Sequence, residues 1–187
     1  YASDDIRTTC AGALGGLIKC FKAAHPDQVD KIHIMAKAYS NNLLDAMESE
    51  TETEVLIAQA QGIKEIIDEA GTYFLQADSV DAFTNKVYEF IQQSENRIND
   101  NNKYQEENAE EEDGLDDEDL QVLKEENKNE MELQICLAEL FGAMFKTHRD
   151  HCRNLVQKLV STVLPNYAKE DDKHKSKFLL FVLDDMV

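Results

Sequence analysis

LQICLAELFGAMF, residues 133–145, indicates the fold of this chain most clearly. Its apolar side chains recur at intervals of three and four residues, which is the spacing of one helix face and not of a strand. These are Leu133, Cys136, Leu137, Leu140, Phe141, Met144 and Phe145. The 187 residues include only 7 Gly and 2 Pro, too few for an all-β chain, which needs a turn about every ten residues. The sequence therefore predicts an all-α protein.

A strongly acidic run, EENAEEEDGLDDED, occupies residues 106–119 upstream of that helix. It carries −10 of the formal net charge of −19, and none of its residues is Lys or Arg. Like charges at this density repel one another and bury no apolar surface, so we expect a solvated loop. Residues 124–132, which follow it, are charged all round and are expected either to project into solvent or to fray. The acidic loop insertion is placed at about residues 104–119.

Six other stretches show the same helical spacing, so the chain is expected to hold about seven helices. They cover about residues 3–22, 27–48, 53–70, 79–98, 150–164 and 172–187, with apolar positions fading after residue 98. The helix that contains residues 133–145 is expected to begin by about residue 120. Gly71 is expected to end the third helix and Pro165 the sixth. Two helices together take roughly fifty residues, slightly more than a HEAT or armadillo unit. Helices of similar length joined by short turns favour an α-solenoid of antiparallel helix pairs over a four-helix bundle.

The first helix carries both an apolar stripe and a group of glycines. The stripe that we expect to face the core is Ile6, Cys10, Ala13, Leu14, Leu17 and Phe21. Gly12, Gly15 and Gly16 each weaken the helix by up to roughly 1 kcal/mol, and their expected use is the close approach of a neighbouring helix. A phosphate-binding loop is disfavoured because this segment does not follow a strand.

The charge and the cysteines limit the partners and the compartment. A net charge of −19 argues against nucleic acid and anionic membranes and favours a basic protein partner. The longest apolar run, residues 178–183, is far too short to span a bilayer, and no signal peptide is visible. Cys10, Cys20, Cys136 and Cys152 lie in apolar helical patterns, which predicts buried thiols in a reducing, intracellular compartment.

Two segments of the sequence resemble a known family of helical repeat proteins. Asp5-Ile6-Arg7 and the following TTCAGALGGLIKCF resemble a HEAT repeat, in which the turn acid and the helix arginine commonly form a ladder between repeats. The second segment, HRDHCRNLVQKLVSTVLPNYAKEDDKHKSKFLLFVLDDMV, resembles the late-middle region of importin-beta-type karyopherins, most closely the importin beta-3 type. The matching residues are Leu164, Pro165, Phe181, Asp184, Asp185 and Val187. The chain has no Trp, where relatives often have one near these helices.

This resemblance implies that the chain is one HEAT-repeat segment, residues 1–187, of a longer nuclear import receptor. Such a receptor binds basic cargo proteins, contacts Phe-Gly nucleoporins and releases its cargo on binding Ran-GTP. It shuttles between the cytoplasm and the nucleus through nuclear pores. The chain begins at Tyr1 and stops at Val187 within an apolar stretch, which also predicts a segment of a longer protein.

The acidic side chains are the candidate partner-binding residues, through many weak, salt-dependent contacts to a Lys/Arg-rich segment. They are Glu110, Glu111, Glu112, Asp113, Asp116, Asp117, Glu118, Asp119, Asp184 and Asp185. The alternative interpretation of the run is a solvating loop with no fixed partner. Asp184 and Asp185 are interpreted as contacts between repeats or as acids on the concave face.

No enzyme, cofactor or metal site is predicted. The acidic run lacks the ligand order of a calcium-binding loop. His148, His151 and Cys152 have no second ligand pair at zinc-finger spacing, so a helix-turn surface with a buried Cys152 is the preferred interpretation. Two other functions stay open: a HEAT scaffold of another complex, and an acidic chaperone for histones or ribosomal proteins.

Overall fold

The computed structural model describes residues 3–108, 115–167 and 173–186, and these residues contain helices and turns but no strand. The helices are α1 (Asp4–Ala24), α2 (Val29–Glu48), α3 (Thr53–Ala70), α4 (Val80–Asn108), α5 (Asp117–His148), α6 (Arg153–Lys158), α7 (Leu164–Tyr167) and α8 (Lys173–Met186). A π-helical turn, Leu159–Val163, joins α6 to α7 into one helical segment. The prediction of an all-α chain with about seven helices is confirmed.

The helices pack in two rows, as in a HEAT-like solenoid. In the first row α1 packs on α3, α3 on α5, and α5 on α8. The second row consists of α2, α4 and α6. Helix α2 packs on α1 and α3, helix α4 packs on α5, and helix α6 packs on α4. Because the chain reverses direction at every turn, the helices of the first row run parallel to one another. This arrangement is the predicted α-solenoid, in which each pair buries its stripe against its neighbours.

Helix α5 lies at the centre of the stack, and its predicted apolar face is confirmed. All seven apolar residues identified in residues 133–145 are buried. Helix α5 contacts α3, α4 and α8, so it has more than one buried face. No helix in the described ranges is both long enough and apolar enough to cross a bilayer.

The buried face of α1 differs from the predicted stripe. Ala11, Gly15 and Ile18 are buried against the core, whereas Ile6 and Leu17 are 54% and 51% exposed. The prediction is confirmed for Leu14 and Phe21, which are partly buried against the core, and is wrong for Ile6, Ala13 and Leu17. The buried face is turned towards Ala11 and Gly15 because small residues allow the close approach of a neighbouring helix. The two cysteines of this helix, Cys10 and Cys20, are also exposed, so the expectation of buried thiols holds only for Cys136 and Cys152.

Glycines set the distance between α1 and α3. A Cβ atom on Gly62 would lie 2.5 Å from the carbonyl oxygen of Ala11, and one on Gly15 would lie 2.6 Å from Cβ of Glu65. The expected close approach is therefore confirmed at Gly15 and is wrong for Gly12 and Gly16, which have open space around them. Gly62, on the facing helix, was not singled out from the sequence.

The two predicted helix ends have different outcomes. Gly71 ends α3 with a φ of +59°, a conformation that glycine adopts without steric cost, as predicted. Pro165 does not end its helix, since it lies in the first turn of α7. The preceding π-helical turn accommodates the proline ring, because its backbone departs from the regular hydrogen-bond pattern of an α-helix.

His148 links the end of α5 to the segment between α3 and α4. Its Nε2 lies 3.3 Å from the backbone nitrogen of Leu75 and 3.0 Å from the carbonyl oxygen of Leu75. The Thr147 hydroxyl donates to the carbonyl of Ala143 at 2.8 Å, which leaves its oxygen to accept from Nδ1 of His148 at 2.7 Å. Burial lowers the pKa of His148 below its usual 6.5, although the bond to Leu75 opposes this shift.

Gly62→Ala should lower the free energy of unfolding by about 1–3 kcal/mol, because the new methyl group would meet the backbone of α1. Gly12→Ala is the matched control at an open helix position, and it should raise that free energy by up to about 1 kcal/mol. Urea unfolding followed by circular dichroism measures both. Equal effects of the two substitutions would contradict the close contact.

The free energy of unfolding should fall as the pH decreases through 6.5, because the unfolded chain binds a proton that buried His148 resists. His148→Gln should reduce this fall between about pH 7.5 and about pH 5.5. His33→Gln, at a half-buried histidine, should leave most of the fall in place. Urea unfolding at several pH values measures the slope, and a slope that is unchanged in His148→Gln would exclude His148 as its source.

Candidate functional site

Helices α4 and α5 extend beyond the rest of the stack as an antiparallel pair. They have 29 and 32 residues, against 18 to 21 for α1, α2 and α3. We call residues 99–108 and 115–129 the arm. Residues 124–132 are helical, and α4 continues through residues 99–108, where the loss of apolar spacing predicted that the helix would fade.

The two helices of the arm meet along half-buried residues spaced three and four apart. On α4 these are Ile98, Asn101, Gln105 and Asn108, and on α5 they are Leu120, Leu123 and Asn127. The spacing is that of a coiled coil and is visible in the sequence. It was missed because amides occupy several positions that are usually apolar.

Glu130 joins the base of the arm to α3. Arg97 donates to it with both Nε, 2.7 Å from Oε1, and Nη2, 2.9 Å from Oε2. Thr53 donates to Oε1 from the start of α3 at 2.9 Å. Glu130 is only 3% exposed, and Ser94 donates to its backbone carbonyl from α4. A buried carboxylate with this many donors holds α3, α4 and α5 together.

A cleft of about 670 Å³ opens between the arm and the adjoining end of the stack. One side is the first turn of α1, the next is the α2–α3 turn with the start of α3, and the third is the base of the arm. Its lining includes the carboxylates of Asp4, Asp5, Glu52, Glu54, Asp100, Glu126 and Glu130. Arg97 is the only basic residue among the described residues that line it, and Glu130 already binds it.

A second ion pair orders the wall of the cleft near α1. Arg7 lies 3.0 Å from Asp4 and 2.9 Å from Glu50, which follows α2. Burial alone would raise the pKa of Glu50, but hydrogen bonds from the Glu52 and Thr51 N–H groups and from Arg7 lower it below its usual value. The resemblance to a HEAT repeat highlighted Asp5 and Arg7, and in the structure Arg7 pairs with Asp4 and Glu50.

The predicted acidic residues lie in several places. Asp116 is the N-cap of α5 and accepts from the N–H groups of Glu118 and Asp119, both at 2.9 Å. Asp117, Glu118 and Asp119 form the exposed first turn of that helix. Glu110, Glu111, Glu112 and Asp113 lie outside the described residues.

The other predicted acids lie on α8. Asp184 is exposed near the end of that helix, and Asp185 follows it. Because α8 runs parallel to α5, the end of α8 lies at the opposite end of the stack from the arm. The structure therefore does not bring Asp184 together with the acids of residues 116–119.

The cleft residues were not singled out from the sequence. They come from α1, from the α2–α3 turn and from the base of the arm, which lie about fifty residues apart along the chain. Acidic residues at helix starts, such as Asp4 and Asp5, have an ordinary role there, since they complement the helix dipole. The local sequence does not show whether an acidic residue at a helix start only complements the helix dipole or also lines a cleft.

His148 and Cys152 are part of the core, whereas His151 is exposed. His148 is buried on Leu75, and burial raises the pKa of the Cys152 thiol to about 11, which keeps it protonated. Among the described residues, no group of three or more His, Cys, Asp or Glu is placed to hold a metal ion. The cleft, in contrast, has the geometry and charge to accept a cationic segment.

A family model described as Importin repeat 6 matches residues 55–167, which is more than half of the chain and includes α3 to α7 with the arm. Comparison with curated proteins and comparison with solved structures each returned no match.

Arg97→Met should lower the free energy of unfolding by about 2–3 kcal/mol, because buried Glu130 would lose its cation. Lys103→Met removes an exposed cation 3.6 Å from Glu107 on the same helix and should cost less than about 0.5 kcal/mol. Urea unfolding compares the two. Similar small losses in both would show that the pair at the base of the arm does not hold the helices together.

Proposed function

The chain belongs to the importin family, and we propose that it is part of the HEAT-repeat solenoid of a nuclear import receptor that binds basic cargo proteins. We assign the receptor to the importin beta-3 type, on the strength of the C-terminal resemblance. Residues 1–187 are then a single HEAT-repeat segment with an acidic insertion. The full-length receptor would contact Phe-Gly nucleoporins and Ran-GTP and would shuttle between cytoplasm and nucleus.

The acidic cleft is the observation that carries this proposal. Its carboxylates line three sides of a space large enough for several side chains of an extended peptide. A Lys/Arg-rich segment lying there would meet negative charge on every side, while Arg97 is already neutralised by Glu130. Such contacts are individually weak and depend on salt, which suits a cargo that must later be released.

The acidic residues identified from the sequence would also meet a basic cargo. Asp116, Asp117, Glu118 and Asp119 lie at the far end of the arm from the cleft, and they would attract a basic segment before it reaches the cleft. Glu110, Glu111, Glu112 and Asp113 belong to the same acidic run in the sequence. Asp184 and Asp185, at the opposite end of the stack, would contact a different part of the cargo.

A Lys/Arg-rich localisation peptide should bind this chain at low salt and more weakly at moderate salt. Glu52→Gln combined with Glu54→Gln should weaken binding at low salt by about tenfold, because both carboxylates line the cleft. Fluorescence anisotropy with a labelled peptide measures the affinity.

The matched control is Asp30→Asn combined with Asp45→Asn, which removes the same charge from exposed positions of α2 outside the cleft. Its effect on the affinity should be less than about threefold. Equal weakening by both double variants would mean that only the overall charge matters. A failure of the peptide to bind at low salt would refute the proposed cargo site.

A further inference from the structure

We propose that the arm is a conformational device whose two helices separate at low ionic strength and close when cations screen or neutralise their charge. The motivating feature is a change in the contact between α4 and α5 at Glu130. On the body side of Glu130, Leu133 and Leu137 are buried against α4 and its neighbours. On the other side, no residue of the arm is buried within residues 99–108 and 115–129.

Amide groups replace apolar contacts in the arm. Asn101 donates to the side-chain oxygen of Asn127 at 3.0 Å, and Asn127 donates to that of Asn102, also at 3.0 Å. These donors and acceptors bond equally well to water, so the contact adds little net stability. A helical segment with few buried apolar contacts belongs to the part of a protein that opens most easily.

The charges of the two helices oppose their contact. The described arm residues include nine acidic residues and three lysines, and each helix is negative by itself. Within these residues no ion pair joins the two helices, since the pair of Lys103 and Glu107 lies within α4. Repulsion across the contact is balanced by the amide hydrogen bonds, by a longer one from Asn101 to the Glu126 carboxylate at 3.3 Å, and by half-buried side chains such as Leu120 and Leu123.

The ionic strength determines whether the charge repulsion between the two helices exceeds the attraction between them. Packed helices lie about 8–10 Å apart, while the Debye length is roughly 30 Å at 0.01 M salt and about 8 Å at 0.15 M. Repulsion between the two helices is therefore almost unscreened at the lower concentration and strongly screened at the higher one. Opening stops at the base of the arm, where Arg97 and Glu130 form a bidentate pair above the apolar core.

Movement of the arm changes the cleft, because Asp100, Asn101 and Glu126 form one of its walls. Asp100 and Asn101 belong to α4 and Glu126 belongs to α5, so separation of the two helices moves these wall residues apart. The inference concerns the arm alone and holds whether or not a cargo binds in the cleft, so a test with simple salt separates it from the proposed function.

Hydrogen–deuterium exchange of the intact chain tests the device. Backbone amides of residues 101–107 and 119–126 should exchange roughly tenfold more slowly at about 0.15 M NaCl than at about 0.01 M. Amides of residues 136–145, within the buried part of α5, serve as the internal reference and should change little. Arm amides that exchange as slowly as this reference at both concentrations, or rapidly at both, would overturn the proposal.

Two variants separate charge from packing. Glu106→Gln with Glu118→Gln removes one charge from each arm helix and should reduce the salt dependence, whereas Asp30→Asn with Asp45→Asn on α2 should not. Asn101→Leu with Asn127→Leu supplies an apolar contact and should slow the exchange at both salt concentrations. A salt dependence that is unaltered in both arm variants would also overturn the proposal.

Discussion

The packing of the apolar stripe of α5 against three neighbouring helices is the interaction on which the rest of the structure depends. Each leucine, phenylalanine or methionine of that stripe contributes about 1.5–3 kcal/mol when fully buried, and all seven residues of the stripe are buried. The helix contacts α3, α4 and α8, so it connects both rows of the stack. Without it, neither row would have a continuous core.

Along the same helix the environment changes from the buried core to the exposed arm. Its buried part ends at Glu130, whose carboxylate binds Arg97 and Thr53. Beyond that point the helix pairs with α4 through amides and carries a high density of acidic residues. One continuous helix thus belongs to the core at one end and to the arm at the other. The buried ion pair lies at the boundary between them, where it joins α3, α4 and α5.

The acidic cleft follows from stacking rather than from any single motif. Parallel helices of the first row place their N-termini at one end of the stack, where acidic residues are favoured by the helix dipoles. The α2–α3 turn and the base of the arm reach the same end. The family membership of the chain and the charge of this end together support the proposal that it meets basic segments of other proteins.

The helical class, the approximate number of helices and the apolar face of α5 can be predicted from the sequence alone, because three- and four-residue spacing is a local property of the chain. Only the tertiary structure decided which face of α1 is buried, since the contact at Gly15 and Gly62 depends on how closely another helix approaches. The tertiary structure also decided which acids share a cleft: the predicted acids at residues 116–119 lie along the arm, whereas Asp4, Glu52 and Asp100 meet through folding. Proximity between residues far apart in the chain follows from the packing of whole helices, and local spacing does not encode it.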